Sequence, residues 1–296
     1  MKPVALWRQQ AKELIVGGRR LAYWTAEGDD VTKPSLLLIH GYPTSSWDWN
    51  PIWDDLKSHF RLVALDMLGF GLSEKPGDFA YTINSQADLQ EALIEHLGIN
   101  EAHILAHDYG DTVAQELLAR HNEGSLGFSI NSIAFLNGGL FPEQHRARPI
   151  QKLGLTPFGF LLGALMSPAR LRKTFDEIFG PDTKATDEEI GAHWELISAG
   201  GGKGVLHKLL NYIPERRQNR ERWVGALLTA SIPLRLIDGG LDPVSGAHLY
   251  RHYKELVPNA DAVLLEEIGH YPQMEAPGAV VDAFLEFHHR HRQSGS

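Results

Sequence analysis

A short pentapeptide, Ala106-His107-Asp108-Tyr109-Gly110, constrains this chain more than any other stretch. The apolar run His103-Ile104-Leu105 precedes it, and a helical pattern carrying Val113, Ala114, Leu117 and Leu118 follows. Strand, one sharp turn and helix is the sequence form of a nucleophile elbow, where small residues two before and two after the centre permit close approach. Such a turn lifts its central side chain above the carboxyl edge of a parallel sheet, and here that side chain is a carboxylate. A Ser at this point would indicate an esterase or lipase. An Asp indicates attack on a saturated, electrophilic carbon to give an ester of Asp108 itself. Asp is also a common helix N-cap, and the pentapeptide alone leaves that simpler reading open.

The rest of the chain supplies the frame. Residues 4–26 read as two strands joined by Gly17-Gly18. The run Ser35 to His40 is continuously apolar before its His, which suits a strand covered on both faces. A second such run, Arg61 to Leu65, passes through Asp66 into Gly69-Phe70-Gly71. Leu89, Leu93 and Leu97 sit at helical spacing with Gly98 as the stop, and Ile130 to Leu136 is another buried strand. This alternation predicts an α/β fold with a mostly parallel, doubly wound sheet. From Phe141 to Arg222 no strand is expected; short helical patterns are broken by Pro149, Pro157, Pro168, Pro181 and Gly200-Gly201-Gly202. Residues 141–222 therefore read as a helical cap inserted after the sixth strand, with residues 1–140 and 223–296 as the core. Strands resume at 233–237 and 262–265 around a helix near 245–256, and a final helix uses Val280, Val281, Phe284 and Phe287.

A nucleophilic carboxylate turns over only with a base and an acid to orient it. In chain order these fit Asp242, just past the strand at 234–237, and His270, just past the strand at 262–265. Asp238 is a rival for the acid. Taken singly, Asp242 could merely start a Pro turn and His270 is one of 15 histidines. Jointly, the right types in the right order after the right strands favour a catalytic set.

With these residues in hand, His40-Gly41-Tyr42-Pro43 and the Asp elbow make the chain resemble the epoxide hydrolase and haloalkane dehalogenase branch of the α/β-hydrolases, over essentially its whole length. Five strings are most similar to the mesoderm-specific transcript group, described as epoxide-hydrolase-like: His40 to Ser46, His107 to Asp111, Asn137-Gly138-Gly139, Arg222 to Leu227, and His270 to Gln273. The resemblance implies epoxide hydrolysis to a vicinal diol in two half-reactions, through an ester on Asp108 that His270 and Asp242 hydrolyse with water. It implies an oxyanion hole from the backbone N–H groups of Tyr42 and Tyr109, and a cis peptide before Pro43. It also implies a cap tyrosine, Tyr212, as proton donor, with packing as the lesser reading of a lone tyrosine. The family's second cap tyrosine is absent, with Phe158, Phe160 or His145 as candidates for its place. A pocket lined by His40, Trp47, Phe141, Phe158 and Trp194 is expected to take a small apolar epoxide. Halide chemistry is the alternative, with Trp194 or Trp223 as N–H donors, and a weak hydrolase-like ligand-binding protein is the third reading.

Composition sets outer limits. The net charge of −9 recommends neither nucleic acid nor an anionic membrane as partner. The absence of cysteine excludes disulfides, thiolate metal sites and a Cys nucleophile. No cofactor or metal is expected. The first residues lack the apolar centre of a signal peptide and no apolar run is long enough to span a bilayer, so a soluble cytoplasmic protein is the expectation. Gly200 to Gly204 lacks the strand and hydroxyl residue of a phosphate loop. His107 reads as structural, Asp111 as a favourable charge at a helix N-terminus, and the basic run Arg216 to Arg222 as the surface of a cap-to-core hinge.

Overall fold

The computed structural model of the chain describes residues 2–26 and 30–293. Of the expected core, residues 1, 27–29 and 294–296 lie outside that range. Eight strands form one sheet: β1 (Lys12–Val16), β2 (Arg19–Thr25), β3 (Ser35–Ile39), β4 (Arg61–Leu65), β5 (Glu101–His107), β6 (Ser129–Leu136), β7 (Leu234–Gly239) and β8 (Asp261–Leu265). Their spatial order is β1-β2-β4-β3-β5-β6-β7-β8. The pairs β1/β2 and β2/β4 are antiparallel, and every later pair is parallel.

The apolar runs become central strands because burial on both faces is the only way to remove them from water. Leu36, Leu37, Leu38 and Ile39 are all fully buried, each such side chain contributing roughly 1.5–3 kcal/mol relative to exposure. Helix ends follow local chemistry. Thr82 and Ser85 form a reciprocal capping box at the start of the helix Ile83–His96, and that helix ends just before Gly98.

One N-terminal expectation fails. Val4–Gln9 is a helix, and only Lys12–Thr25 forms the hairpin. Val4 and Trp7, three apart, face inward together, and Trp7 stacks on Trp24 and meets Trp53 edge-on. The apolar spacing there is helical rather than alternating.

Between β6 and β7 the regular elements among the described residues are all helical: Pro149–Gly154, Leu161–Leu165, Pro168–Ile178, Asp187–Ser198, the 3-10 segment Ala199–Gly204, Leu206–Leu209, Tyr212–Gln218 and Arg220–Leu228. The last of these runs through position 222. The sheet order reverses beside β3, whose neighbours are β4 and β5. The crevice at the carboxyl ends of β3 and β5 is thus a topological switch point, where open α/β sheets bind ligands.

Candidate active site

Asp108 sits where β5 turns into the helix Tyr109–Asn122, with φ of 51° and ψ of −105°. A side chain at positive φ is strained, and surrounding structure must hold it. Two glycines make the fit possible. A Cβ on Gly110 would lie 2.2 Å from the Ile39 carbonyl oxygen, and one on Gly41 would lie 2.9 Å from the Asp108 Cβ. With both bare, the Tyr42 N–H donates to Asp108 Oδ2 at 3.0 Å. Tyr109 opens the helix, so its N–H is one of the amides without an intrahelical acceptor. The Tyr42–Pro43 peptide is cis.

Beneath the turn lies a residue the sequence did not single out. Arg216 is buried; it donates from Nη2 to the Asp108 carbonyl oxygen (3.0 Å) and from Nε to Thr112 Oγ1 (2.7 Å). Its guanidinium lies over the Tyr212 ring, 4.4 Å from the centroid. This corrects the reading of the basic run as hinge surface: Arg216 is a strut, while Arg220 and Arg222 bind Glu143, Glu116 and Glu123 outside it. The available signal was spacing, since Tyr212 and Arg216 are four apart on one helix and share a face.

Asp242, not Asp238, meets the histidine. His270 Nδ1 lies 2.8 Å from Asp242 Oδ2. That carboxylate also accepts from Asn137 Nδ2, from Val244 N and from the backbone and hydroxyl of Ser245. Burial pushes the Asp242 pKa up, but the His270 charge and these hydrogen bonds outweigh it and hold the group at about 2. Burial pushes His270 down, and the charges of Asp242 and Asp108 together with the Asp242 hydrogen bond raise it to about 9.

Two further groups position the histidine. His107, driven down to about 3 by burial and by the neighbouring His270 charge, lies with Nε2 2.8 Å from the His270 carbonyl. A neutral ring meeting a carbonyl must donate, so the proton is on Nε2. Glu275 accepts from the N–H groups of Gly269, Tyr271 and Gly180 and from the Thr183 hydroxyl. It thereby ties the histidine loop to the helical insertion, and the His270 N–H itself donates to the Ile178 carbonyl at 2.8 Å.

Above these groups lies a cavity of about 70 Å³. Tyr42, Asp108, His270 and Tyr271 form its floor, and Arg148, Gln151, Leu162, Met166, Leu171 and Phe175 are among the residues roofing it. The expected lining residues are elsewhere. His40 is fully buried, with Nε2 accepting from the Met67 N–H and its ring edge-on to Phe70. Trp47 is buried beside His193 and donates to the Lys2 carbonyl. Phe141 is buried against His252. Phe158 is 62% exposed, because Gly154 and Leu162 occupy the inner face of the segment. Trp194 carries the Lys203 ammonium over its ring, and the Trp223 indole donates to Glu116. Hydrophobicity marked these residues as apolar but could not aim them.

Tyr212 is fully buried and does not line the cavity. Its ring lies near Tyr42 and Tyr109, and its hydroxyl accepts from Gln151 Nε2 at 3.3 Å. Tyr271, the residue after the histidine, reaches the cavity itself. Burial raises both phenols well above their ordinary range, so both keep their protons at neutral pH. Asp111, in the first turn of the helix Tyr109–Asn122, is completely buried, and that burial raises its pKa well above the ordinary carboxylate value.

A strained acid elbow at the switch point of a mostly parallel sheet, facing a His–Asp pair past later strands, is the architecture of one hydrolase class. Residues 34–277 match the family described as alpha/beta hydrolase fold, and the chain belongs to that family. It is 40% identical over 290 residues to the mesoderm-specific transcript protein of Mus musculus, covering 95% of this chain and 86% of that one. LipZ of Mycobacterium tuberculosis is 36% identical over 279 residues, covering 94% and 96%. Among solved structures, the haloalkane dehalogenase DbeA from Bradyrhizobium elkani superposes with a TM-score of 0.80 at 21% identity, covering 96% of this chain and 99% of that one.

Proposed function

We propose that this hydrolase opens epoxides to vicinal diols through an ester on Asp108, and that residues 141–222 act as a cap over the site. The observation that carries the reading is the Tyr42 N–H bonded to Asp108 Oδ2. It leaves the other oxygen free to attack, and the same donor is in place for the oxyanion that forms later. An Asp108 oxygen attacks a ring carbon, the carbon–oxygen bond breaks, and the released oxygen takes a proton from a phenol. Tyr271 lines the cavity, with its hydroxyl 3.5 Å from Thr44 Oγ1, and the Tyr212 hydroxyl accepts from the cavity-lining Gln151; the reading takes Tyr271 as the direct donor and Tyr212 as its support. His270 then accepts a proton from water as the water attacks the ester carbonyl; on collapse His270 returns that proton to the leaving diol oxygen, and the proton of the regenerated Asp108 carboxyl goes back to the phenolate, restoring both groups.

Tyrosines in the cavity lining, Tyr42 and Tyr271, support an oxygen leaving group over a halide. Among the described residues no tryptophan lines the cavity, although a halide would need such N–H donors.

The titration of His270 fits the order of steps. With Asp108 ionised, its charge helps hold His270 protonated. Alkylation removes that charge and lowers the His270 pKa, freeing the base when water must be activated. Ester hydrolysis is therefore expected to slow as pH falls below the pKa of His270 in the ester, because only neutral imidazole accepts the proton. A single-turnover pH profile that is flat across this range would contradict the assignment of His270.

The direct test is intact-protein mass of His270→Gln after mixing with styrene oxide or 1-bromohexane. A covalent adduct of the whole epoxide mass, absent in His270→Gln/Asp108→Ala, is the expected result. An adduct of the hexyl group alone would convert the reading to dehalogenation. No adduct from either compound, with the protein folded by circular dichroism, would remove the support for alkylation.

A further inference from the structure

Charge along the chain is not evenly spread. From Gln144 to Phe175 there is no Asp or Glu, while Arg146, Arg148, Lys152, Arg170, Arg172 and Lys173 all fall within this stretch of a chain whose net charge is −9. The same stretch exposes Leu155, Phe158, Phe160, Leu161 and Leu165, five of the eleven large apolar side chains found exposed among the described residues. Single exposed apolar residues need no explanation, but five of them within residues 155–165, in a stretch whose charges are all basic, mark an interaction site. Arg148 pairs with Glu177, and Arg172 with Asp187. Arg146, Lys152, Arg170 and Lys173 form no ion pair among the described residues.

This face also leads inward. A surface groove lined by Arg148, Ile150, Arg170, Lys173 and Thr174, with Glu177 as its one acid, shares Arg148, Ile150 and Thr174 with the lining of the cavity above Asp108. Leu162 and Met166, between the exposed positions and the groove, face the cavity.

We propose that the face carrying Phe158, Phe160, Leu161 and Leu165 docks on an anionic phospholipid surface. The apolar side chains enter the head-group layer, the unpaired cations meet lipid phosphates, and apolar substrate passes from the lipid along the groove. Aromatic and Leu side chains beside Lys and Arg are the composition of an interfacial anchor. No helix among the described residues is long and apolar enough to cross a membrane, so the contact is peripheral. A second copy of the chain is a poor occupant, because a two-fold contact would press this basic face against itself. The docking surface stands independently of the chemistry at Asp108. Whole-chain net charge argues against an anionic surface as partner; the local distribution reverses that for this face.

Vesicle co-sedimentation at low salt tests it, using phosphatidylcholine alone and phosphatidylcholine with about one-third phosphatidylglycerol. The wild-type chain is expected to bind the anionic vesicles and to be released by salt. Phe158→Ser/Phe160→Ser should weaken binding by at least about tenfold. Lys152→Gln and Lys173→Gln should each weaken it about fivefold. Wild-type protein left in the supernatant with anionic vesicles overturns the proposal, as does binding that these folded variants leave unchanged. A concentration-dependent dimer abolished by Phe158→Ser/Phe160→Ser, without vesicle binding, would assign the face to a second copy instead.

Discussion

The floor and the roof of the cavity are built in different ways. The floor hangs from strand ends: Tyr42 follows β3, Asp108 follows β5, Asp242 follows β7 and His270 follows β8. Its polar groups are tightly bonded, with both Asp242 oxygens engaged and the Asp108 carbonyl held by Arg216. The roof consists of short helices joined by turns, presents mainly apolar side chains inward, and leaves Phe158 and Phe160 in solvent. Chemistry requires positions held within fractions of an ångström, which a hydrogen-bonded sheet edge supplies. Admission of substrate tolerates, and uses, a looser surface.

Substitutions can break this contrast, and the largest effects should come from the floor. Asp242→Asn keeps the shape but removes the charge that orients and stabilises the protonated His270. Turnover should fall about 10³–10⁴-fold, with the Asp108 ester accumulating. Near-normal turnover in stopped-flow assays would mean that another acid, such as Asp238, fills the role. Arg216→Met strips hydrogen bonds from the Asp108 carbonyl and Thr112 in a buried place. It should cost about 2–4 kcal/mol in urea unfolding, and Arg216→Lys should restore little because it lacks the planar fork. A strut role fails if Lys rescues both stability and rate.

Tyrosine variants sharpen the boundary between floor and support. Tyr271→Phe should lower the ring-opening rate about 10²-fold, and Tyr212→Phe less than about tenfold, measured as single-turnover ester formation. The reverse ranking would move the donor to the helical insertion. Glu275→Gln tests the joint between floor and roof. It should lower stability by about 1–2 kcal/mol and raise KM more than it lowers kcat; an unchanged KM would show that the tie does not govern entry.

Legibility in the sequence divided along the same line. The buried strands were readable because continuous apolar runs have one stable fate, and the elbow because its small residues bracket one carboxylate. Asp242 and His270 followed from chain order after the later strands. Tyr271 was visible as a letter in the His270-Tyr271-Pro272-Gln273 string but not as a cavity wall. Aromatic character points to Phe158, Trp47, Phe141, Trp194 and His40 as wall residues, yet none of them lines the cavity above Asp108.

The sequence by itself thus determined the sheet, the helical stretch between its sixth and seventh strands and the chain order that brings Asp108, Asp242 and His270 to the ends of β5, β7 and β8, since periodicity, turn chemistry and chain order are local properties. Tertiary structure alone decided which side chains meet. The bond from Arg216 to the Asp108 carbonyl spans 108 positions, and that from Asn137 to Asp242 spans 105. Such contacts arise when separate elements pack around a common interior, and the direction of a side chain is set by that packing, not by its own hydrophobicity.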